Sequence, residues 1–157
     1  MRQQPQRMGS SMIEILSTKL HVPRPRTDRV TRPRLTRRLN AGLDRRVTLV
    51  AAPAGFGKTS LLSEWIPQSH RCVTWLSLDK GDNDPTRFWT HVIASLRQID
   101  ADLGQSALAL VESPQTPPIT SIITALVNDI SAYPDAFAAV LDDYHAIETP
   151  SIHKALA

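Results

Sequence analysis

Val47-Thr48-Leu49-Val50-Ala51-Ala52-Pro53-Ala54-Gly55-Phe56-Gly57-Lys58-Thr59 is the stretch whose reading decides the fold. Its first six residues form a near-continuous apolar run of strand length, the pattern of a strand covered on both faces. Pro53 ends that run, and Gly55 and Gly57 follow within a few residues. Leu61, Leu62 and Trp65 then mark a helix that Pro67 stops. A glycine loop between a strand and a helix lets successive backbone N–H groups turn inward and approach an anion closely. The helix beginning near Gly57 adds its N-terminal dipole, worth about 0.3–1 kcal/mol per favourable charge contact.

Downstream the alternation continues. Val73 to Leu78 is a second buried-strand run ending at Asp79, and Asp84 stands where it can cap a helix whose first residue is Pro85. Phe88, Trp89, Val92, Ile93 and Leu96 form a core stripe on that helix. After a Pro-rich loop at 113–118, Ile119, Ile122, Ile123, Leu126, Val127 and Ile130 fall at helical spacing. Both stripes read as core rather than as binding features. A third buried strand, Phe137 to Leu141, delivers Asp142-Asp143, and one more helix begins at Pro150. Upstream, Leu35, Leu39 and Leu43 predict a short helix over Pro33–Gly42, with Thr31 or Arg32 at its start. Strands alternating with helices predict an α/β fold, a parallel sheet flanked by helices.

Composition narrows the class. The chain has 157 residues, 41% of them hydrophobic and 21% charged, ordinary values for a globular protein. It has no stretch of about 18 apolar residues, which argues against a helical membrane span. A lone cysteine, Cys72, rules out an intrachain disulfide and a cysteine-based zinc cage; it reads as a half-buried thiol of a reduced, cytoplasmic protein. Charge is uneven: residues 1–46 hold 12 of the 18 Lys and Arg and only three acids, so that segment carries +9 and the remainder −6. A basic arm on an acidic body suits nucleic-acid binding, folding back onto the body, or holding a polyphosphate. The first is disfavoured because no aromatic residue interleaves the arginines to stack bases.

The loop carries the chemistry. Gly57-Lys58-Thr59 matches the end of the P-loop pattern, but the position five before Gly57 is Ala52 rather than glycine. In the P-loop reading, Pro53, Ala54, Gly55, Phe56 and Gly57 wrap the phosphates and Lys58 reaches the β- and γ-phosphates. Thr59 would ligate magnesium, and Ser60 follows on the same helix turn. The bland alternative is a glycine turn with an exposed lysine. A carboxylate at the end of a neighbouring buried strand is where the metal needs an oxygen, so Asp142 is assigned to Mg2+, through water, and Asp143 to orienting the hydrolytic water. Asp79 and Asp82 end the second strand on the ligand side, where capping explains them and Asp79 could touch the metal or its waters. His145 reads as a surface or supporting histidine, and His21, His70, His91 and His153 show no metal-ligand spacing.

Five segments, in order, resemble one family. They are Leu16–Leu20 with Pro23–Arg26; Val30–Leu35; Ala52–Thr59; Trp75–Asp79 with Gly81–Asp84; and Leu141–His145. Together they are similar to the start of MalT-like regulators, large LuxR-type transcription activators of the STAND class of signalling ATPases. The match runs from about Ile15 to the last residue, and alanine at the first P-loop position is usual there. The resemblance implies a P-loop NTPase fold and places Val30–Leu35 against adenine and ribose, with Arg32 or Arg34 near the nucleotide. It implies a switch: ADP-bound at rest, exchange for ATP on binding a small-molecule inducer, self-association, and resetting by slow hydrolysis. The family's lid, helical-repeat sensor and promoter-binding helix-turn-helix are absent from these 157 residues. The expected organisation is therefore a disordered tail at 1–12, a basic Pro/Arg-rich arm with a short helix at 13–46, and a truncated P-loop core at 47–157 whose sheet is incomplete. Two other classes stay open. A small P-loop kinase or hydrolase would want an acceptor pocket and a lid arginine after the acid strand. A nucleic-acid-binding fragment would show affinity falling steeply with salt.

Overall fold

A computed structural model describes residues 15–24, 32–115 and 117–156. The expected tail at 1–12 and the Val30-Thr31 part of the adenine segment lie outside the described residues. A 3-10 turn at Ser17–Leu20 is followed by helix α1 (Pro33–Gly42) and helix α2 (Lys58–Trp65). Strand β1 (Cys72–Ser77), helices α3 (Pro85–Leu96), α4 (Gln105–Val111) and α5 (Ile119–Ala132), strand β2 (Phe137–Asp142) and helix α6 (Pro150–Leu156) complete the described order. No described helix is long and apolar enough to cross a membrane.

β1 and β2 pair in parallel, with Trp75 beside Val140 and Ser77 beside Asp142. Alternation along the strands sends successive side chains to opposite faces. One face, with Val73, Trp75, Ala138 and Val140, packs on Leu39 of α1 and Leu61 and Trp65 of α2. The other presents Leu76 to Phe88, Ile93 and Leu96 of α3, Ala107 of α4, Ile122 and Leu126 of α5 and Ile152 of α6. Helices therefore cover both faces of a two-stranded parallel sheet, an α/β arrangement compatible with an incomplete fold of that class.

Local signals account for most boundaries. Asp84 accepts a hydrogen bond from the Arg87 N–H at 2.8 Å and Pro85 opens α3, as the sequence predicts. Pro33 opens α1 with Arg32 as its N-cap. Gly57, at φ 75° and ψ 35°, sets the direction of α2 from the left-handed region. The seven-residue α4 was not expected from periodicity. It follows Gly104 at φ 82°, and its Ala107 is fully buried against the larger core.

Three expectations are corrected. Val47–Ala52 is not a strand: no backbone ladder forms along it, and Val47 and Leu49 are 69% and 80% exposed. The run is apolar enough for a covered strand, but a strand also needs a partner edge, and the described sheet is complete with β1 and β2 alone. Cys72 is exposed rather than half-buried, because it is the first residue of β1 and precedes the covered part of the strand. Val127 is exposed, since the buried stripe of α5 is the narrower pair Ile122 and Leu126.

Candidate functional site

The Pro53–Gly57 loop hands the chain to α2 through two left-handed glycines, Gly55 at φ 81° and Gly57 at φ 75°. Either position would strain a residue with a Cβ. At Gly57 a Cβ would also meet the Arg32 guanidinium at 3.4 Å. Among the described residues, nothing lies within 4 Å of a Cβ placed on Gly55. Ala54, Gly55 and Phe56 are exposed, as is Ser60 in the first turn of α2.

Two cations stand at the loop. Lys58 folds back and donates to the backbone carbonyls of Ala52 at 2.8 Å and Pro53 at 3.2 Å. Arg32 Nη1 donates to the Phe56 carbonyl at 3.1 Å. Of the two arginines singled out in the sequence, Arg32 is the one placed on the loop; Arg34 is exposed on α1. Both loop cations are satisfied by backbone oxygens, a weak match that a phosphate would outcompete by offering charged acceptors.

The acid strand reaches the same place. Thr59 Oγ1 donates to Asp142 Oδ2 at 2.8 Å across 83 residues of sequence. Asp142 is 6% exposed, and burial raises its carboxyl above the usual carboxylate range; the Thr59 hydroxyl and the Lys58 charge oppose that shift. A buried carboxylate beside a hydroxyl is an all-oxygen pair of the kind a hard divalent cation takes. No group of three or more His, Cys, Asp and Glu side chains suited to a metal occurs among the described residues. A magnesium ion here would therefore draw its remaining ligands from phosphate and water, which is how magnesium is commonly held. The residues fit the ion.

Asp143 turns away from the strand at φ 54° and is exposed, with His145 Nδ1 3.7 Å from its carboxylate. The chain then closes a 3-10 turn in which the Ala146 N–H donates to the Asp143 carbonyl at 2.9 Å.

Sequence reasoning missed a buried ionic cluster on the loop after β1. Asp82 is 0% exposed. It accepts from Lys19 Nζ at 2.6 Å and from the Asp79 N–H at 2.8 Å, and pairs with His91 Nδ1 at 2.7 Å. Lys19 also pairs with Asp79 at 2.9 Å, and that hydrogen bond holds the Asp79 carboxyl below its ordinary value. Burial pushes His91 down, favouring its neutral form. Asp79 is thus engaged with the N-terminal segment rather than turned toward Thr59 and Asp142. Lys19 and Asp82 lie 63 residues apart, and no spacing rule connects them.

Over 142 residues, 90% of its length, the chain is similar to curated proteins named HTH-type transcriptional regulator MalT. It is 34% identical to the protein of that name from Cronobacter sakazakii and 32% identical to those from two Klebsiella pneumoniae strains. The chain spans 16% of the length of each relative. No family model matches it.

Proposed function

We propose that this chain, homologous over nine-tenths of its length to MalT-type regulators, is the ATP-binding module of a transcription regulator of that kind. Nucleotide acts in it as a signalling switch. The observation that carries the reading is the Thr59–Asp142 hydrogen bond at 2.8 Å, which joins the helix after a left-handed glycine loop to the acid end of a strand. A loop turned by two left-handed glycines, a lysine at the helix start and a hydroxyl–carboxylate pair supply the parts that phosphate and magnesium require.

In this reading Pro53, Ala54, Gly55, Phe56, Gly57 and Ser60 surround the phosphates. Lys58 releases the Ala52 and Pro53 carbonyls and turns to the β- and γ-phosphates. Arg32, already bonded to the loop, neutralises further charge in preference to Arg34, which lies exposed in the first turn of α1. Thr59 and Asp142 hold Mg2+, which when bound neutralises charge on the phosphates. Asp143, just outside the buried pair, orients the attacking water. The basic arm is read as folding back on the body, since Lys19 is buried against Asp82 and Arg32 sits at the loop. In the whole regulator, an inducer, self-association and promoter DNA act through parts beyond this piece. Hydrolysis by the piece alone is slight, because closure over the nucleotide normally excludes water and completes such sites.

Calorimetric titration of the 157-residue chain with ATP and magnesium tests the reading. Binding is expected, and Lys58→Ala is expected to abolish it; equal affinity in the variant would sink the assignment. Asp143→Ala should keep the binding and remove residual turnover.

A further inference from the structure

We propose that Asn83 is a positioning residue that sets the Asp142-Asp143 corner, acting through the turn that follows it; this rests on the nucleotide-site reading above. Asn83 lies at the end of the 3-10 turn Lys80–Asn83, on the loop that follows β1. Its side chain makes contact across more than sixty residues with the segment after β2. Nδ2 donates to the Ala146 carbonyl at 2.7 Å. Oδ1 accepts from the Glu148 N–H at 2.6 Å, the Thr149 N–H at 3.1 Å and the Thr149 hydroxyl at 3.1 Å. The Thr149 hydroxyl also donates to the Asn83 carbonyl at 2.7 Å. An amide offers both donors and acceptors on one planar group, which no charged or hydroxyl side chain does.

These bonds fix the far end of a turn whose near end is Asp143. Ala146, gripped by Asn83 through its carbonyl, donates its N–H to the Asp143 carbonyl. Asp143 holds φ 54°, a left-handed conformation that is costly for a non-glycine residue and persists only when its surroundings impose it. In that conformation it follows directly on Asp142, whose side chain accepts from Thr59 at 2.8 Å. On the strand side, the Leu78 N–H holds the Asp142 carbonyl at 3.0 Å. The corner is thus clamped on one side by the sheet and on the other by Asn83. Released from Asn83, Asp143 relaxes toward an ordinary backbone conformation and the end of β2 that carries the Asp142 carboxylate shifts with it.

The same loop carries Asp79 and Asp82, which hold Lys19. One short segment therefore joins the N-terminal Ser17–Leu20 turn to the acid corner.

The test uses the 157-residue chain and Asn83→Asp, which keeps the acceptor for Glu148 and Thr149 but loses the donor to Ala146. The quantity measured is the ratio of ATP affinity with magnesium to ATP affinity in chelator. That ratio is expected to fall about fivefold, a typical loss for one hydrogen bond. Amide hydrogen exchange at Ala146 and Ile147 is expected to quicken by a similar factor, while β1 amides keep their protection. Asn83→Ala should lose more on both measures, and Asn83→Asp keeps the test alive if Asn83→Ala does not fold. Faster exchange with an unchanged ratio reduces Asn83 to a brace and overturns the proposal, as does unchanged exchange. If the unaltered chain binds no nucleotide, the nucleotide-site reading falls and this role falls with it. In that case the exchange data still show whether Asn83 sets the turn.

Discussion

Val47–Ala52 and Cys72–Ser77 are largely apolar runs of equal length, each ending at a loop, yet only the second becomes a strand. Val73 to Leu76 has β2 beside it and helices on both faces; Trp75 is buried against α1 and α2, and Leu76 against α3. Val47 and Leu49 project outward, and only Val50 packs on the smaller core. The loops that follow differ in the same sense. The Asp79–Asp84 loop is fastened by Lys19 to the N-terminal segment and by Asn83 to the turn after β2. The Pro53–Gly57 loop is held by two cations on its carbonyls, Arg32 on Phe56 and Lys58 on Pro53. The contrast teaches that apolarity gives a segment a preference for burial, while a partner edge and a covering layer decide whether it is met. It also separates a wall fastened by buried side chains from a wall held only through its backbone carbonyls.

The strongest challenge to this contrast is to cut into the fixed side. Trp75→Ala is expected to cost about 3–5 kcal/mol in urea unfolding, since it empties the contact between sheet and α1–α2. Lys19→Met should cost about 3 kcal/mol, because it leaves the buried Asp82 without its closest cation, although His91 and Arg87 still face it. A loss below about 1 kcal/mol, the scale of an exposed ion pair, would mean the loop after β1 is not fastened by that pair.

Asp142→Asn tests the corner between the two walls. The mutant amide still accepts from Thr59, and the penalty of burying a charge is gone, so the thermal midpoint at pH 7 should rise. The raised folded-state carboxyl value fixes the sign. Above it, the wild type carries the burial penalty in full. As pH falls through it toward the ordinary 3.8, the wild type protonates and the advantage of the substitution disappears. Magnesium-dependent nucleotide affinity should be lost in the same variant. A midpoint unchanged at pH 7 would show that burial does not strain Asp142.

The smallest effect is expected on the free side. Leu49→Thr should change stability by no more than about 0.5 kcal/mol, as for other exposed positions. A loss above about 2 kcal/mol, the scale of emptying a buried site, would reveal a covered strand there in solution. Hydrogen exchange should be fast along residues 47–57 and slow in β1, and added ATP should slow it in the first segment only.

Much of this was legible in the sequence because the deciding signals are local. Pro33 and Pro85 open helices, Asp84 caps one, Gly57 redirects the chain, and the strand ending in Asp142 was readable from its apolar run. Chain chemistry alone also brought Thr59 and Asp142 together as candidates. What it did not decide is which groups sit within hydrogen-bond reach across long separations. The Lys19–Asp82 pair, the choice of Arg32 over Arg34 at the loop, the back-folded Lys58 and the reach of Asn83 to Ala146 all follow from packing. Sequence by itself determined the P-loop-like pattern and the order of its elements, since propensity and spacing act within a few residues. Tertiary structure alone decided that Val47–Ala52 has no partner strand among the described residues and that Asp142 is a buried acid, because pairing and desolvation depend on what the rest of the chain places alongside.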